Sequence, residues 1–134
     1  MMRNNAPAPI LSFRQLPEPF AVCRLSPGSP VPEMLPGGPF TSVTRTGDEL
    51  SIVCRLEDAP PQAKIEQPWT CLQLLGPFPF TQTGVLASAI GPLAEAGISI
   101  FAISTFDTDY VLVKQEAVEH ALQVLREAGY QLRG

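Results

Sequence analysis

Histidine occurs once in this chain, cysteine only three times, and no apolar run reaches the roughly 18 to 20 residues that span a bilayer. Each shortage excludes something. Cys23, Cys54 and Cys71 are odd in number and lack C-x-x-C spacing, which argues against both a disulfide framework and a thiolate metal site. They read as buried, reduced thiols, as in a cytoplasmic protein. His120 lies among polar positions, with no second histidine to share a metal and no nucleophile in motif context, so neither metal chemistry nor covalent catalysis is indicated. Nine Lys and Arg, scattered singly against 13 Asp and Glu, give a net charge of -4. A nucleic-acid partner would need a basic stripe, and none is present. The opening residues, MMRNNAPAP, lack the apolar stretch of a secretory signal. The expectation is a soluble cytoplasmic protein with no membrane partner, no cofactor and no catalysis of its own.

With 134 residues the chain suits one ordinary domain or two very small ones packed as a unit. Proline divides it: 12 of 15 prolines precede residue 70, and PGSPVPEMLPGGP, from Pro27 to Pro39, admits about one helical turn. The second half is more regular. TCLQLL (70–75) reads as a buried strand and GPFPFTQTG (76–84) as a loop. A helix is predicted from Gly84 to Ala96, with Leu86, Ala89, Ile90 and Leu93 on one face, Thr83 as N-cap, Gly97 as stop and Pro92 as a kink. SIFAIST (99–105) and YVLVK (110–114) are strands joined by a turn at FDTD. A second helix, about Gln115 to Ala128, places Val118, Ala121, Leu122 and Leu125 inward, and YQL after Gly129 offers a closing strand. The order is βαββαβ, the ferredoxin-like motif.

The first half repeats this order in worn form. FAVCRLSPG (20–28) aligns with CLQLLGPFP (71–79) at an offset of 50, and SVTRTGDELSIV (42–53) with AISTFDTDYVLV (102–113) at an offset of 60. The ten residues gained between the two matches fall where the second copy has its first helix. The expected fold class is therefore α+β: two ferredoxin-like βαββαβ units, the first degenerate with a shortened first helix. Trp69, beside Pro68, falls at the join and is expected to pack the halves together.

Residues 80–129 resemble the ACT domain, a regulatory module that binds amino acids, and AGISIFAISTFDTDY is the specific part of the likeness. Its nearest forms are the small tandem ACT proteins of bacteria, the CASTOR arginine sensors and the regulatory region of aspartate kinase. The resemblance implies a leader at residues 1–9, a degenerate repeat at 10–68 and a complete ACT repeat at 69–134. It further implies a non-catalytic regulatory protein that senses an amino acid at an ACT–ACT interface, pairs as a homodimer and signals to a partner protein. Family ligands are contacted by the loop into the first helix, here Thr81 to Leu86 with Thr83, Gly84, Val85 and Leu86, and by the end of the second strand, here Ser104, Thr105, Phe106, Asp107 and Asp109. In the arginine sensors the contacting Phe and acid of a T-F-x-x-D segment match Phe106 and Asp109. The worn first repeat leaves open whether both repeats bind.

The residue types suit a zwitterion. Amides at a helix start near Gly84 can receive a carboxylate. Asp109 or Asp107 can neutralise an ammonium, with Ser104 and Thr105 hydroxyls completing the hydrogen bonds, while Phe106 can exclude water or stack on a cation. Asp and Thr are also ordinary turn residues, and the same fold with an empty pocket would serve as a dimerisation or docking module.

Overall fold

Runs of alternating apolar residues set the strands, and two Ala- and Leu-rich segments closed by glycine set the helices. The computed structural model describes residues 11–33, 38–75 and 84–133. In chain order it contains β1 (Ser12–Gln15), β2 (Phe20–Leu25), β3 (Ser42–Arg45), β4 (Leu50–Arg55), β5 (Lys64–Leu74), α1 (Val85–Glu95), β6 (Ile100–Ser104), β7 (Asp109–Lys114), α2 (Val118–Glu127) and β8 (Gln131–Arg133). The expected leader lies outside the described residues. All eight strands join one sheet, and every pairing is antiparallel except the parallel β1·β8 pair. The fold is α+β with ferredoxin-like units.

The long strand β5 belongs to both units. Its first half pairs with β2, giving the order β3-β4-β2-β5, and its second half pairs with β7 on one side and β1 on the other. In unit two the strand beside β5 is β1, from the opposite end of the sequence, and β8 lies outside it. Unit two thus takes its fourth strand, β1, from unit one's stretch of chain, while β5 serves as fourth strand of unit one and first strand of unit two. A division at residue 68 or 69 falls within β5.

The ladders define the internal repeat. Phe20 stands opposite Arg55 in β2·β4, as Trp69 stands opposite Lys114 in β5·β7. Phe20 therefore corresponds to Trp69 and Arg55 to Lys114, offsets of 49 and 59 where the sequence alignment placed 50 and 60. Side-chain direction explains the correction. Strand residues alternate faces, so a slip of one exchanges the two sides of the sheet. With the observed offsets Val53 matches Leu112 and Ile52 matches Val111, each on the corresponding face. The difference of ten residues between the two offsets is unchanged.

The helices cover one face of unit two. Val85, Ala89 and Leu93 of α1 and Ala121, Leu122 and Leu125 of α2 pack on Phe13, Leu72, Leu74, Val111 and Val113. The α1 stripe runs through Val85, Ala89 and Leu93, leaving Leu86 and Ile90 half-buried. Pro92 removes one donor from α1, which ends three residues later at Glu95. In unit one no helix lies between β2 and β3 among the described residues, where the sequence predicted a shortened one, and the second crossover is a single 3-10 turn at Leu56–Asp58. Cys23, Leu25, Leu50, Ile52 and Cys54 are closed over by Leu56, Ala59, Ala63 and Ile65 instead.

On the helix-free face Trp69 joins Phe20, Phe40, Val53, Cys71 and Leu112, drawn from both units. The Trp69 ring meets Phe101 edge-on at 6.4 Å and carries Lys114 Nζ 4.7 Å from its centroid. Arg55, the counterpart of Lys114, pairs with Asp58 at 2.8 Å, Glu18 at 3.3 Å and Glu57 at 3.4 Å. It ties the approach to β2 to the turn after β4. Gly38, at φ +57°, passes so close that an added Cβ would lie 2.8 Å from Arg55 Nε.

Because Phe13 is fully buried within the borrowed strand, Phe13→Ala should cost about 3–5 kcal/mol. Urea unfolding should show that loss, whereas Val31→Ala, at a position 44% exposed, should change stability by less than about 0.5 kcal/mol.

Candidate ligand site

Helix ends position the site. After α2, Gly129 at φ +99° lets the chain reverse, and Tyr130 N–H donates to Leu125 O at 3.0 Å. That turn sends the Tyr130 ring against Phe13, with centroids 6.1 Å apart. Its hydroxyl lies 2.6 Å from Ser88 Oγ and 3.4 Å from Val85 O. Ser88 Oγ in turn donates to Val85 O at 2.7 Å. The end of α2 thereby fixes the first turn of α1.

The α1 N-cap is Gly84, in the left-handed region at φ +82°, where the sequence predicted Thr83. Thr83 and Thr81 lie outside the described residues. Among the described residues no side chain caps the first turn, whose Val85 and Leu86 amides lie at the positive end of the helix. The Val85 and Leu86 side chains turn to the core, so both residues offer backbone rather than side-chain chemistry.

The β6–β7 hairpin carries the other residues that the sequence singled out. Thr105 N–H donates to Thr108 O at 2.8 Å, and Thr108 N–H donates to Thr105 Oγ1 at 3.3 Å. The Thr105 hydroxyl is thus spent within the turn. Thr108, buried, donates its hydroxyl to Leu74 O and fastens the hairpin tip to the end of β5. Ser104 and Asp109 stand opposite each other, and Ser104 Oγ donates to Asp109 Oδ1. Phe106 is 79% exposed at the tip.

The two aspartates serve different surroundings. Asp109 shares the parity of Val111 and Val113, the helix-side residues of β7, and its charge reaches Tyr130. Burial pushes the Tyr130 phenol above its ordinary range; the Ser88 hydrogen bond opposes the shift and the Asp109 charge adds to it. Asp107 instead bears on Tyr110, the residue that stacks on Phe40 at 4.1 Å on the helix-free face. Among the described residues no cation lies within ion-pair distance of Asp109, and no cluster of His, Cys, Asp or Glu fit to hold a metal occurs. Ser104 and Asp109 therefore come together beside the Tyr130 link to α1, while Thr105 and Asp107 have other engagements. Tyr130, Ser88 and Thr108 escaped the sequence reading. Of these only Thr108, inside STFDTDY, lay near a recognised motif.

Tyr130→Phe should cost about 1 kcal/mol at neutral pH through the lost hydroxyl contacts. A phenol raised in the folded state contributes stability that is complete below its ordinary value near 10 and is lost at higher pH. The variant should lose its share of that alkaline decline, as denaturant midpoints from about pH 8 to 11 would show.

Residues 64–127 match the family model of the ACT domain, and a second model, for an N-terminal domain, matches residues 18–62. The human cytosolic arginine sensor for mTORC1 subunit 1 is 37% identical over 59 residues, which is 43% of this chain and 18% of the sensor. The chain therefore spans less than a fifth of these curated relatives' length. A crystal structure of an Agrobacterium tumefaciens protein is 40% identical, with 94% of each chain covered and a TM-score of 0.86. The regulatory subunit of aspartate kinase from Thermus flavus shares the fold at 13% identity, with a TM-score of 0.61 and coverage of 87% of this chain and 95% of that one. By its matched residues and its fold, this chain is an ACT-domain protein over residues 64–127.

Proposed function

We propose that this protein is a non-catalytic cytoplasmic regulator that binds an amino acid, or a similar small ammonium-bearing metabolite, at the unit-two end of the sheet. One observation carries the reading: Asp109, half-buried, accepts from Ser104, bears on the Tyr130 link to α1, and has no cationic partner among the described residues. A partly buried carboxylate is held more favourably when a cation meets it. The ligand's ammonium would meet Asp109 and Ser104, and its carboxylate the first amides of α1 near Gly84 and Val85. Phe106, at the rim, would contact the ligand's side chain.

Within one chain the site faces away from unit one, because the two hairpin tips lie at opposite ends of the 11-residue β5. A second ACT surface over the ligand would come from another copy. Among the described residues β3, β6 and β8 each pair on one side only, which offers main-chain edges for a homodimer. A ligand bound across such an interface stabilises the assembly by mass action, and the assembly is what a partner protein would read.

Thermal unfolding across a panel of single amino acids tests the reading. At about 100 times the dissociation constant a ligand adds roughly 2.7 kcal/mol, several degrees for a chain of this size. One chemical group of amino acids should shift the midpoint, and Asp109→Asn should abolish the shift. A flat panel at millimolar ligand would overturn the reading and leave the fold as a dimerisation or docking module.

A further inference from the structure

The internal repeat places a second hairpin tip where unit two has its candidate site. Ser104 and Asp109 correspond to Arg45 and Leu50, since Arg45 stands opposite Leu50 as Ser104 stands opposite Asp109. Both tips are built alike. Thr46 N–H donates to Glu49 O at 2.9 Å and Thr105 N–H to Thr108 O at 2.8 Å. In each, the threonine hydroxyl also accepts from the turn: Glu49 N–H reaches Thr46 Oγ1 at 3.2 Å and Thr108 N–H reaches Thr105 Oγ1 at 3.3 Å.

What differs is the pair facing the preceding connection. In unit one the carboxylate is gone, and Leu50, fully buried, takes its position. The Arg45 guanidinium instead crosses to the turn after β2, where it donates from one nitrogen to Pro27 O and from another to Ser29 O at 2.9 Å. Ser29 N–H closes that turn on Ser26 O at 3.0 Å. No carboxylate among the described residues lies within ion-pair distance of Arg45. A fork held by two backbone carbonyls is the contact a free guanidinium would make.

We infer that the unit-one tip is a guanidinium site already filled by the chain's own Arg45, so that it takes no external ligand until that side chain is removed. The inference uses the observed repeat and rests on the proposed function only in naming the unit-two tip as the counterpart site. Arg45 acts as a tethered occupant that joins the β3 tip to the β2–β3 connection, and unit two has Ser104 in its place.

Chemical rescue tests this without knowledge of the natural ligand. Arg45→Ala should lower the unfolding midpoint by a few degrees. Methylguanidinium chloride at about 20 mM should restore most of that loss, while equal methylammonium chloride should not. Wild type should respond to the two salts alike. Arg45→Lys, which keeps the charge without the fork, should recover less than half of the midpoint and gives a second readout if the alanine variant folds poorly. The same rescue in an Arg45→Ala, Asp109→Asn double variant would place it at unit one and hold even if the amino-acid panel is flat. An Arg45→Ala protein that gains no more from methylguanidinium than wild type, or a rescue that vanishes in the double variant, would overturn the inference.

Discussion

The ladder between β5 and the consecutive strands β1 and β2 is the constraint from which the rest follows. Phe13 pairs with Leu74 at one end and Arg24 with Lys64 at the other, with Trp69 opposite Phe20 between them. Because β1 and β2 run antiparallel to β5, the chain's two halves meet head to tail, and equivalent features fall at opposite ends. The arrangement makes the units inseparable: unit two is missing its fourth strand until the N-terminal segment arrives. It also explains how unit one holds with no α-helix among its described residues. Its strands are ordered from one side by a strand whose other half is anchored beneath α1 and α2.

Much of this was legible where the signal is local. Both helices of unit two, its hairpin and the worn repeat follow from periodicity, because an amphipathic stripe or an alternating run fixes an element before any partner is chosen. The repeat offsets missed by one because matching residue types, such as Ile52 with Leu112, ignores which face each residue occupies. Val and Leu serve either face equally well, so only the pairing reveals parity. The exchange of strands was out of reach. SFRQ in β1 is short and mixed, and its place between β5 and β8 is decided by contacts across more than 50 residues of chain.

The candidate site divides along the same line. STFDTDY announced a polar hairpin tip, and the pairing of Ser104 with Asp109 follows from a four-residue turn. Parity then separates the two aspartates, since Asp109 lies two before Val111 and shares its face. Tyr130 and Ser88 gave no signal, because 42 residues separate them and each reads alone as an ordinary helix-side residue. Their contact ties the first turn of α1 to Tyr130, whose phenol feels the charge of Asp109. Gly84 as the cap, where Thr83 was expected, reflects a residue in the left-handed region, which glycine adopts without strain and which residue type alone did not announce.

The two ends of β5 therefore represent opposite solutions to one problem. Every hairpin tip beside a strand-to-strand connection leaves backbone carbonyls and amides that need partners. Unit one closes the account internally: Arg45 donates to Pro27 and Ser29, Arg24 donates to Asp48 O at 2.9 Å, and Leu50 fills the interior. On the inference above, such an end takes no external ligand. Among the described residues unit two keeps a half-buried carboxylate without a cation and a helix start without a side-chain cap, and under the proposed function a zwitterion would offset the cost of each. Leaving polar groups underused is what makes occupancy consequential, since a ligand shifts an equilibrium only by its differential interaction with the states available. A chain with both ends closed would have nothing to sense, and one with both open would carry the cost twice in a sheet whose first unit has no α-helix among its described residues.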